Sequence, residues 1–172
     1  MSKEIRRWSQ QDIRWCNKRL GPSVLTCKFH GCLVTAIANY TDKTPGELID
    51  LLEFTDDNHP SGGGKILWNT RNKETLRKLG LDYVDRYRRW EGQKDRDAMF
   101  ECCQSQDYFP LLEVETKSGG RHWVTPISRA LTWRGLGWAV NDPWNAKREW
   151  KTVGFMAPYV RETGWLLFTR PL

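Results

Sequence analysis

No apolar run in this 172-residue chain approaches the roughly 20 residues that cross a bilayer. The longest such stretch, Val34–Ala38, is interrupted by Thr35. The first residues, MSKEIRRW, carry positive charge but lack the apolar segment of a secretory signal, so the expectation is a cytoplasmic protein without membrane partners. Internal repeats and low-complexity linkers are also missing, and the length suits a single domain over 1–172. An even cysteine set is absent: Cys16, Cys27, Cys32, Cys102 and Cys103 make five, which argues against a disulfide scaffold and leaves at least one free thiol. Histidine is scarce, with three in the chain, so each one is a candidate for chemistry.

Lys and Arg number 27 against 21 Asp and Glu, a net charge of +6. The basic residues are spread, in Arg6-Arg7, Lys18-Arg19, Arg86 with Arg88 and Arg89, and Lys147-Arg148. They join no aromatic-rich nucleic-acid motif, so nucleic acid is not the expected partner, whereas an anionic cell wall suits the sign of the charge. Ten tryptophans exceed what a core of this size needs, and suit a peptide or glycan groove as well as a core.

The pattern divides the chain. In the first half, apolar residues at 33, 36, 37 and 40 mark one helical face beginning at Gly31-Cys32. Thr44-Pro45-Gly46-Glu47 reads as a capping box, and Asn72 as the cap of a helix ending at Gly80. Leu81–Trp90 reads as a strand and about 95–103 as a further helix. Strands follow at Tyr108–Glu115, Trp123–Ala130, Gly137–Asn141 and Trp165–Thr169. Helices before strands predict an α+β fold with helices packed on an antiparallel sheet.

Four positions stand out. Cys32 opens a helix, where free N–H groups and the dipole favour a thiolate, and Gly31 beside it would leave room for a substrate carbonyl. His122 follows the Ser118-Gly119-Gly120 turn and opens a strand. Asp142, before Pro143, ends the neighbouring strand, where a carboxylate can orient a histidine ring. Asn141 is the alternative for that role, because a side-chain amide can also orient the ring, and strand alternation decides between the two since neighbours point to opposite faces. Gln10 carries a side-chain amide able to donate to an oxyanion.

Taken in order, Ser9-Gln10-Gln11-Asp12-Ile13-Arg14-Trp15, Gly31-Cys32, His122-Trp123-Val124 and Asn141-Asp142-Pro143 resemble the papain-like double-glycine peptidases, the group that trims bacteriocin leaders, and within it the stand-alone subgroup. The resemblance implies a papain-like fold and a cysteine peptidase needing no cofactor. It makes Cys32 the nucleophile, His122 the base, Asp142 the orienting residue and Gln10 an oxyanion donor beside the Cys32 N–H.

Rival readings exist for neighbouring residues. Cys16, Cys27, His30 and Cys32 could form a zinc site, and Cys27-x2-His30 has knuckle spacing, but His30 and Cys32 are only two apart and Cys16 has no near partner. Asp56, Asp57 and Asn58 could offer oxygens to a cation, or simply form a solvated loop. Trp123 and Trp144 either line a substrate groove or pack beneath the site. As substrate, a cell-wall peptide cut by an endolysin-like enzyme stands beside intracellular protein or leader processing and isopeptide cleavage. A bacteriophage lysin of this kind would reach the wall through a separate pore. The non-enzyme alternative is a binding module that has lost activity.

Overall fold

The computed structural model describes residues 5–87, 89, 91–132, 135–145, 148–152 and 159–172, with backbone alone at 130–132, 135–136 and 148–152. Arg88, Trp90 and Lys147, together with the first four residues, lie outside this set. Among the described residues, five helices and six strands follow in the order α1 (Cys27–His30), α2 (Cys32–Ala38), α3 (Pro45–Leu51), α4 (Thr70–Lys78), β1 (Asp82–Tyr87), α5 (Gln93–Gln104), β2 (Tyr108–Thr116), β3 (Arg121–Thr132), β4 (Gly135–Asn141), β5 (Arg148–Thr152) and β6 (Tyr159–Thr169). The fold is α+β. Its sheet has the order β1-β6-β2-β3-β4-β5, with every pairing antiparallel. Among the described residues no helix is long and apolar enough to cross a membrane.

β2 lies inside this sheet, between β6 and β3, and is buried without alternation from Phe109 to Val114. The reason is that both of its faces are covered. Leu111 packs with Ile37, Leu48, Leu76 and Phe168 beneath the first four helices, while Leu112 and Val114 pack with Met99 of α5, Val124 and Trp165. The helices therefore do not all lie on one face: α5 covers the opposite side.

Local chemistry explains the boundaries. The capping box at α3 forms as its residues require: the Glu47 N–H donates to Thr44 Oγ1 at 3.2 Å and the Thr44 N–H donates to Glu47 Oε2 at 2.7 Å. The cap of α4 is Asn69, not Asn72. Asn69 Oδ1 accepts the Asn72 N–H at 2.9 Å, and Asn72 itself is inside the helix and fully buried. The Asn72 amide instead acts as a buried staple, accepting the Glu53 N–H at 2.8 Å and donating to the carbonyls of Glu53 and Leu67 at 2.8 and 2.7 Å. Two short elements, α1 and β5, have no counterpart in the sequence pattern.

Because each Asn72 bond satisfies an otherwise buried backbone group, Asn72→Ala should lower stability by about 2–4 kcal/mol, whereas Asn69→Ala should cost about 1 kcal/mol. Urea denaturation of both variants checks the order.

Candidate active site

Cys32 is the first residue of α2 and is only half-buried. The chain enters α2 from α1 through Gly31, and the helix breaks there. In an unbroken helix the Cys32 N–H would donate to the Lys28 carbonyl. That carbonyl is occupied instead by two side-chain amides, Gln10 Nε2 at 2.7 Å and Gln11 Nε2 at 3.1 Å. Among the described residues the Cys32 N–H is thus one of the unpaired donors of a helical first turn, next to its own thiol.

Gly31 has a role different from the expected one. A Cβ on Gly31 would fall 2.5 Å from Cys27 Sγ and 2.6 Å from the Cys27 carbonyl oxygen. Glycine is required by the packing of α1 under α2, not by an approach from the cleft. Cys27 beneath it is fully buried, and burial pushes its thiol up to about 11, so it stays protonated at neutral pH.

His122, near the start of β3, is the ring that meets Cys32. Its Nε2 lies 2.8 Å from Asp142 Oδ1, and Cys32 is near enough to strengthen the hold of the ring on its proton. An ionised carboxylate only accepts, so Nε2 carries a hydrogen and Nδ1 is left for exchange with the thiol. Burial by itself would lower the affinity of the ring for a proton. The bonds and charges of Asp142 and Cys32 outweigh it and raise His122 to about 9. Asp142 is itself 5% exposed at its side chain. Burial pushes its carboxyl up, but His122, the Trp144 N–H at 2.9 Å on Oδ1 and the Tyr159 hydroxyl at 2.7 Å on Oδ2 hold it well below the usual carboxylate range. Asn141 does not compete for the ring: its Nδ2 donates to the Arg6 carbonyl at 3.0 Å.

The segment carrying Gln10 is a closed loop. Asp12 accepts the Arg14 N–H at 3.0 Å, which turns the chain, and the indole N–H of buried Trp15 donates back to the Ser9 carbonyl at 2.7 Å. Ser9 Oγ donates to the Trp144 carbonyl at 3.1 Å, and the Gln10 N–H to the Pro143 carbonyl at 2.7 Å. Gln10 is therefore clamped between the Asp142 turn and the entry to α2. Its side chain is 1% exposed, with Oε1 unpartnered among the described residues.

A cavity of about 450 Å³ opens beside Cys32. Trp123, though nearly buried, forms part of its lining. Trp144 does not line it and stands 48% exposed, serving the site through its backbone. Asp57 accepts from Ser23 Oγ at 2.5 Å and the Val24 N–H at 3.0 Å, which pins the 55–64 loop to the preceding turn and spends the carboxylate on structure. Among the described residues no three His, Cys, Asp or Glu side chains gather as a metal site.

Sequence reasoning missed three contributors. Tyr159 sits in no motif, because its relevance comes only from β6 returning beside the Asp142 turn. Asn39 and Thr125 bond at 3.0 Å, and Thr125 Oγ1 donates to the Ala36 carbonyl at 3.3 Å, which fastens α2, the helix of Cys32, to β3, the strand of His122. The alternation of β3 could have hinted at Thr125, a buried polar residue on the face of Trp123.

The raised His122 value has a consequence for stability. A group that binds its proton more tightly in the folded state contributes fully below its unfolded value of 6.5, and that contribution is lost as pH rises through about 9. The melting temperature should therefore fall between pH 6.5 and 9, and His122→Gln should flatten the slope. Tyr159→Phe should cost about 1.5–3 kcal/mol, the value of a hydrogen bond to a charged group, measured by the same melts.

Comparison with known proteins found no matching family model, no matching curated protein and no matching solved structure.

Proposed function

We propose that this chain is a cysteine-dependent amide hydrolase of papain-like fold, a peptidase in which Cys32 is the nucleophile, His122 the acid–base and Asp142 the residue that orients it. The observation that carries the reading is the 2.8 Å bond between His122 Nε2 and Asp142 Oδ1, supported by the influence of nearby Cys32 on the same ring. Three groups in this order are what nucleophilic catalysis by a thiol requires.

The charged ring favours negative charge on Cys32 Sγ. The thiolate adds to an amide carbonyl, forming an S–C bond, and the carbonyl electron pair moves onto oxygen. The Cys32 N–H and a Gln10 Nε2 hydrogen stabilise that oxyanion. The C–N bond then breaks, and His122 Nδ1 gives its proton to the leaving amine. Water, deprotonated by the now neutral ring, adds to the thioester. The carboxylic acid departs and the thiol–imidazole pair is restored.

The substrate reading that fits the chain's charge is a cell-wall peptide. A +6 protein associates with a polyanionic wall, and salt weakens that association over a Debye length of about 8–10 Å.

Cys32→Ala should reduce hydrolysis by on the order of 10⁴-fold or more while the protein remains folded, and Cys32→Ser should behave alike. Replacement of Cys16, Cys27, Cys102 or Cys103 by Ser should retain turnover, with some loss of stability at buried Cys16 and Cys27. Assays on wall suspensions at low and high salt, and on protein and peptide pools, read both points. Clearing that is salt-sensitive and lost in Cys32→Ala supports the wall substrate. Cleavage of protein substrates alone moves the substrate inside the cell, and wild-type turnover by Cys32→Ala removes the nucleophile assignment.

A further inference from the structure

The cavity beside Cys32 is lined by two kinds of side chain. Phe29, Ile66 and Trp68 give it an apolar wall. Arg86, Glu113 and Arg121 form a charged cluster in the same lining, with Trp123 beside Arg86, and Lys65 also lines the cavity. The Glu113 side chain is 4% exposed, and both of its oxygens are taken: Oε1 accepts from Arg86 Nη2 at 3.3 Å, while Oε2 accepts from Arg121 Nη1 and Thr163 Oγ1, each at 3.1 Å.

The charge is unbalanced. Among the described residues of the lining, Glu113 is the single carboxylate, against Arg86, Arg121 and Lys65. A guanidinium has five N–H donors in a planar fork. The contacts to Glu113 use one nitrogen of each arginine, so most donors stay available to a ligand. Arg86 also lies 5.4 Å from the centre of the Trp123 ring, a cation–π contact that adds to its hold beside Glu113. The buried carboxylate therefore works as an anchor that aims two cations, while their excess charge faces the cavity. Such a fork matches a carboxylate in shape and in charge.

Resting on the peptidase reading above, we propose that this cavity selects peptides bearing a carboxylate close to the scissile amide, with Arg86 and Arg121 as its binding pair and the apolar wall taking an adjoining hydrophobic side chain. The carboxylate is an acidic side chain or a free C-terminus; both offer the same two oxygens.

The test works before any substrate is identified. Cys32 is alkylated with iodoacetate, which brings a carboxylate to the sulfur, and with iodoacetamide, its neutral counterpart, and the rates are compared by mass. The iodoacetate-to-iodoacetamide ratio should fall about threefold in Arg121→Gln and again in Arg86→Gln, the size expected for removing one charge across a partly solvated cleft. Arg121 is 64% exposed at its side chain, so Arg121→Gln should fold even if Arg86→Gln does not. A second arm uses quenched peptides with Glu, Gln or an amidated C-terminus near the cut, and tells side-chain from terminal carboxylates. A ratio of acidic to neutral peptide cleavage above one, falling in Arg121→Gln, supports the proposal. An unchanged alkylation ratio in Arg121→Gln, or equal cleavage of acidic and neutral peptides, overturns it and leaves the peptidase reading intact. Failure of either reagent to label Cys32 selectively would count against the peptidase reading itself.

Discussion

The buried carboxylate of Asp142 is the constraint to which the rest of the site answers. A carboxylate with so little exposure must have its oxygens satisfied, or it would neutralise and lose its hold on the ring. Three donors meet it from separate parts of the chain: His122 from β3, the Trp144 N–H from the turn that follows, and the Tyr159 hydroxyl from β6. Each donor fixes an element. The histidine ring is held in one orientation through its Nε2, and the turn after Asp142 becomes rigid enough to anchor something else.

What it anchors is the N-terminal segment. Ser9 and Gln10 bond to the backbone of Trp144 and Pro143, while the amides of Gln10 and Gln11 reach the carbonyl of Lys28. One short loop therefore joins the carboxylate turn to the entry of α2, which carries Cys32. It also takes up the carbonyl that would otherwise capture the Cys32 N–H. Further back, Asn39 accepts the Trp8 N–H at 2.9 Å and donates to Thr125, so the far end of α2 is tied to β3 as well. The spacing of sulfur and ring is thus set at both ends of the helix by buried polar contacts that van der Waals packing alone would not specify.

Much of this is legible in the residues. Gln10, Cys32, His122 and Asp142, scattered over 133 positions, stand out together, and the sheet and helices fall near the segments that periodicity marks. The sequence leaves Asp142 against Asn141 open, since both residue types can orient a ring, and strand geometry separates them. Other features are hidden for physical reasons. Asn69 and Asn72 are both plausible caps from their position, and only the buried backbone of Glu53 and Leu67 reveals what Asn72 does. Gly31 reads as an opening toward substrate, but the atom it must avoid belongs to Cys27, one helical turn earlier. Tyr159 and the Glu113–Arg86–Arg121 cluster depend on strands distant in the chain, and no local pattern announces them.

The central claim is that His122, held by Asp142, activates the sulfur of Cys32. The most direct measurement is the rate of iodoacetamide labelling of each cysteine at pH 6, resolved by mass, in the wild type and in His122→Ala. An ordinary thiol is only about 0.3% thiolate at that pH. The account predicts that Cys32 reacts at least about tenfold faster than an ordinary exposed thiol and than Cys16, Cys27, Cys102 and Cys103, and that His122→Ala removes the advantage. Equal labelling of Cys32 in the two proteins would contradict it.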